Sequence, residues 1–175
     1  MTSIIKVDQI QTAAGGVPTA ADLGLDQQSA VLNVWQNTLN STQILSSDAY
    51  VDITSASFTV TPQSVNSRFL IEGVCHVYFD ENYAGWQSAP MRLLKDAQVI
   101  RDDTGGTSEY GSGVYGHNDT HFVMMKTNIS AIHAPQTTSS ITFKMQTRNR
   151  DAANSNGFNL NQYGTGYFRV IELAS

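Results

Sequence analysis

Residues 68 to 79 alternate without a break. Phe69, Ile71, Gly73, Cys75, Val77 and Phe79 fall on one side, and Arg68, Leu70, Glu72, Val74, His76 and Tyr78 on the other. Successive side chains of a strand point to opposite faces, so this run is a β-strand whose first set faces a core. The same period recurs in Tyr50–Ile53 and in Ser57–Thr61, which stops at Pro62, a residue that cannot donate to a ladder. It recurs again in Ser140–Arg148, with Ile141, Phe143 and Met145 inward and Thr142, Lys144 and Gln146 outward. No segment keeps a helical period for more than about two turns.

The remaining strands follow from shorter runs. Val31–Gln36 opens the domain and Thr38–Asp48 reads as a polar loop. Ala89–Lys95 and Gln98–Arg101 form a hairpin around Asp96 and Ala97. Thr120–Lys126 is a strand that Asn128–Ala134 either continues or follows as a separate one, ending at Pro135. Phe158–Leu160 and Gly166–Leu173 close the chain. Some nine or ten strands at short spacing, with Gly, Pro, Asn and Asp between them, predict an all-β fold. The expected architecture is an antiparallel β-sandwich, a jelly roll in particular. No internal repeat is visible, which disfavours propellers and solenoids.

One face of the 68–79 strand is unlike plain solvent-facing surface. Leu70, Val74 and Tyr78 are too apolar for it, so they are the expected contact between subunits.

The first 30 residues have another texture. Ile5, Val7 and Ile10 belong to a short alternating run. Small, turn-prone residues around Val17 and Pro18 follow, and then Leu23 and Leu25. Thr19 and Asp22 have the spacing of a helix start, but only one turn could precede Gly24. So little apolar bulk cannot offset the entropy of ordering the segment alone. Residues 1–30 are therefore expected to be an arm ordered by another chain, and residues 31–175 the sandwich domain.

The run SIIKVDQIQTAAGGVPTAADLGL resembles the N-terminal signature of structural proteins of tailed bacteriophages, mostly tail-fibre or other appendage proteins. The closing run Tyr167–Ser175 is similar to the last strand of the β-domains that follow that signature. The resemblance implies a virion component assembled in the host cytoplasm. It further implies a homotrimer that docks on other virion proteins through the arm residues Ile5, Val7, Ile10, Val17, Pro18, Leu23 and Leu25. A capsid decoration or cement protein, gripping the head with the same arm, is the alternative within the structural class.

Composition narrows the field further. Charged residues make up 14% of the 175, against roughly 25% in an average protein. A neutral, hydrogen-bonding surface suits extracellular β-proteins and subunits packed on copies of themselves. The net charge of −5 argues against nucleic acid, which needs a basic face. No apolar run reaches the ~18 residues of a membrane helix, so no membrane insertion is expected. The start of the chain lacks a basic region followed by an apolar stretch, so a reducing compartment is expected. Cys75 is the one cysteine. It reads as a small buried residue, with an interchain bridge as the lesser reading.

Chemistry-bearing patterns are few. The Gly-rich stretch Asp102–Asn118 carries Glu109, Tyr110 and Tyr115, and the segment Asp80–Trp86 carries Tyr83 and Trp86. Tyr with Gly and Ser is what adaptable recognition surfaces use. If these loops and Asn149–Gly157 meet at one end of the sandwich, they form a tip suited to a host surface glycan or protein. His117 and His121 are four apart, but on extended chain that is roughly 13 Å, so no metal and no cofactor is expected. Asp80 with Glu81, and Asp102 with Asp103, are the candidate acid pairs for glycoside cleavage. Adjacent acids in a loop are weak grounds, and a polysaccharide-degrading appendage is the least favoured reading. No nucleophile elbow or phosphate loop is present.

Overall fold

The computed structural model describes residues 31–79, 88–104, 123–150 and 157–174. Within them the regular structure is all β: β1 (Val31–Leu39), β2 (Gln43–Leu45), β3 (Val51–Val60), β4 (Arg68–Phe79), β5 (Met91–Lys95), β6 (Gln98–Asp102), β7 (Val123–His133), β8 (Ile141–Thr147), β9 (Phe158–Leu160) and β10 (Gly166–Leu173). Two antiparallel sheets result. The first runs β1-β10-β4-β7, with the short β9 beside the far half of β4 and β2 beside β9. The second runs β3-β8-β5-β6. Apart from the β5–β6 hairpin and the two short strands, successive strands change sheet. That winding is the jelly roll.

The alternation in the sequence becomes the core. Phe69, Ile71, Cys75, Val77 and Phe79 of β4 are buried, as are Ile141, Phe143 and Met145 of β8. Phe69 meets Phe143 across the sheets at 5.2 Å, and Phe58 stacks on Phe168 at 5.9 Å. Each fully buried side chain of this size contributes roughly 1.5–3 kcal/mol. Gly73 lets the sheets close: a Cβ there would collide with the Met145 thioether. Cys75 is wholly buried, and burial pushes its thiol up to about 12, so it is an inert core residue beyond the reach of another chain.

Two local features depart from the expectations, and a third decides between two open readings. The polar loop 38–48 contains β2, paired to β9. Gln43 of β2 accepts Thr54 N–H at 2.9 Å and donates to Asp52 O at 3.0 Å. The two runs within 50–61 are one strand, with a register shift between Asp52 and Ser57 and a positive φ of 65° at Ser55. Between the Asp52–Gln146 and Ser57–Lys144 pairs β3 advances five residues while β8 advances two, and the odd excess of three keeps both Ile53 and Ala56 inward. Residues 123–133 are likewise one strand, paired to β4 throughout.

The antiparallel winding gives the sandwich two different ends. Val31, Arg68 and Leu173 lie together at one, where Val31 and Arg68 both pair with Leu173. Glu172 is tied in there, fully buried. Its carboxylate accepts Ser67 Oγ at 2.7 Å, Gln63 N–H at 2.7 Å and Asn33 Nδ2 at 2.9 Å. Burial would raise this carboxyl, but the three donors outweigh it and hold it below its usual range. At the opposite end Phe79 pairs with Val123, and Met91 and Val51 both pair with Thr147.

Candidate functional site at the loop end

Every described residue that flanks 80–87, 105–122 and 151–156 lies at that second end. Asp103 N–H donates to Met91 O at 3.2 Å, and its carboxylate accepts Met91 N–H at 2.8 Å. Arg150 N–H reaches Ser88 O at 3.4 Å, and Asn149 N–H reaches Ser47 O at 2.8 Å. The flanks of the three segments expected to form a tip are thus brought together. Tyr83, Trp86, Glu109, Tyr110 and Tyr115 themselves lie outside the described residues, as do Asp80, Glu81, His117 and His121.

What the described residues build there is a polar row on the outer face of the second sheet. Register sets Asp52, Gln146, Arg92 and Asp102 side by side across β3, β8, β5 and β6. Gln146 Nε2 donates to Asp52, and Arg92 Nε donates to Gln146 Oε1 at 2.7 Å. Lys144 Nζ lies 3.1 Å from the other Asp52 oxygen. Burial alone would raise the Asp52 carboxyl; Gln146 and Lys144 together bring it below its usual range.

Above the row sits Tyr50. The guanidinium carbon of Arg92 is 3.9 Å from its ring centroid, and that of Arg148 is 5.1 Å away. The Tyr50 hydroxyl donates to Asp102 Oδ1 at 3.4 Å, and that oxygen also accepts the Thr104 hydroxyl at 2.6 Å. Burial, then the Asp102 charge, push the phenol above its ordinary value, against the pull of Arg148. Both members of the Asp102/Asp103 pair are therefore occupied in holding the chain at the edge of β6. That is a structural use of two acids considered for glycoside cleavage. Among the described residues no group of three or more His, Cys, Asp or Glu could hold a metal ion.

The expected subunit contact on β4 divides in two. Val74 is 6% exposed, covered by its own chain. The connector from β9 to β10 lies over this half of the strand: Tyr163 packs edge-on against Tyr78 at 4.9 Å, and Gly164 sits against the His76 ring. Leu70 lies beyond the connector. Its neighbours in register are Ile171 on β10 and Ile132 on β7, and Ile171 in turn pairs with Val34 on β1. Four apolar side chains thus cross the whole outer face in one row, with Val34 57% and Ile132 58% exposed. Sequence reading found Leu70; its three partners needed the strand order.

The strand order defines an all-β antiparallel sandwich of jelly-roll winding, with the described flanks of three segments gathered at one end. No protein-family model matches the chain, and no curated protein does. Among solved structures the chain is similar to one of the infectious bursal disease virus Gx strain, with 10% identity and a TM-score of 0.42, covering 83% of this chain and 40% of that one. It is also similar to the VP2 subviral particle of infectious bursal disease virus, with 10% identity, a TM-score of 0.38, and 82% and 38% covered. The chain thus spans well under half of those viral chains. The architecture rests on the strand order itself.

Proposed function

We propose that the chain is a non-enzymatic virion structural subunit, a trimeric tail-fibre or appendage protein. Its residues 1–30 dock on the particle and its loop end faces the host surface. The observation that carries this reading is the polarity of the sandwich. The strand that follows the arm begins at Val31, at one end, while the flanks of all three loop segments sit at the other. A subunit that must be held at its root and presented at its tip needs that separation. The composition of the arm and its resemblance to phage appendage proteins support the same reading.

The surface best suited to a second copy is the apolar row Val34–Ile171–Leu70–Ile132. It lies next to the root of the arm, and the next row carries the Arg169–Glu72 pair, with Arg169 Nε 2.9 Å from Glu72 Oε2. That pair neutralises itself, so copies meeting there face no like-charge repulsion. Three copies joined by this row would gather their arms at one place, which strengthens docking by raising effective concentration. Labelled electron microscopy of particles tests the reading. Label on the tail supports it, label over the head favours the decoration alternative, and no label on particles refutes both.

A further inference from the structure

We propose that Arg92 and Arg148, gathered on the Tyr50 ring, bind an oxyanion carried by a surface polysaccharide, a carboxylate or phosphate group on the sugar chain. This rests on the host-surface part of the function proposed above. One guanidinium over a tyrosine ring is an ordinary packing device. Two are different. Their carbons lie within about 9 Å of each other, close to one Debye length at physiological salt, ~8 Å. Both charges therefore add to the local potential that an arriving anion meets.

Asp52 reaches Arg92 only through the field of its charge, across Gln146. Among the described residues neither arginine forms an ion pair. Asp52 is taken by Lys144 and Gln146, and Asp102 by Thr104 and Tyr50. Arg92 spends its Nε on Gln146, and Arg148 Nε is buried without any partner. Unspent planar donors are what recognise carboxylate and phosphate groups in bidentate fashion. The ring fixes where those donors stand, so little entropy is lost on binding. The location fits as well, since the cluster lies at the end that carries the loop flanks.

Calorimetry on the full chain at low salt tests this with three oligosaccharides of equal length: a polyuronate, a phosphorylated glycan and a neutral one. An acidic oligomer should bind at least about tenfold more tightly than the neutral one, as expected for a hydrogen-bonded charge. The preferred acid identifies the source of the oxyanion. Arg148→Gln should lose that preference while melting like the parent, and Arg148→Lys should recover only part of it. Added inorganic sulfate should compete for the unmodified protein, a readout independent of whether the variants fold. Equal binding of acidic and neutral oligomers overturns the proposal. So does an Arg148→Gln variant that keeps the preference, or a failure of sulfate to compete. Adsorption of particles lacking the chain tests the host-surface reading separately.

Discussion

Glu172 is a charged residue in an inward position, and it shows how one carboxylate can fasten a connector. It holds Ser67 and Gln63 from the β3–β4 connector and Asn33 from β1. Glu172→Gln would set an amide donor against existing donors. We expect a loss of about 2 kcal/mol at pH 7, the scale of a hydrogen bond to a charged group, read from urea unfolding. The sign of the pH dependence follows from the depressed pKa. The stabilisation is present above the ordinary value of 4.5 and is lost as pH falls through the lower folded value. The difference between parent and variant should therefore shrink below about pH 4.5; a constant difference down to acid would refute the assignment. Gly73 offers a second test. Gly73→Ala should destabilise by roughly 1–3 kcal/mol through overpacking against Met145. Met145→Ala in the same chain should relieve part of that, a coupling that a double-mutant cycle measures.

Among the elements, what could be read in advance tracks how local its cause is. β4 and β8 follow from alternation alone, and Phe69, Ile71, Phe143 and Met145 face the core as their spacing requires. β2 lay hidden because its three residues are held by β9 and by the grip of Gln43 on β3, not by local pattern. The β3 strand looked like two because the bulge at Ser55 breaks the period. The cluster of Tyr50, Arg92 and Arg148 had no signal at all, since its members come from β5 and from two connectors far apart in the chain. The outer face of β4 was half legible. Val74→Glu would now be expected to place a charge inside the subunit's own fold and unfold it. Ile132→Glu is the cleaner probe, because its side chain is exposed in the single chain. It should abolish self-association in sedimentation while leaving β-type circular dichroism intact; an unchanged oligomer would exclude the row as the contact.

At the scale of the whole molecule the jelly roll sets Val31 and the flanks of the three undescribed segments at opposite ends. Deleting residues 1–30 should leave the melting temperature of the sandwich within a few degrees of the parent, a shift worth less than about 1 kcal/mol. Incorporation into particles should be lost; undiminished incorporation would remove the arm from the docking role. The geometry of β1 has a mechanical consequence. If the arm docks and the far end binds a cell as proposed, a pull between particle and cell would enter the sandwich at Val31 and run along the axis of β1. The hydrogen bonds to β10 stand across that axis, so the eight residue pairs joining the two strands are loaded in shear, all at once. Tension directed this way has no loose end from which to peel the sheet.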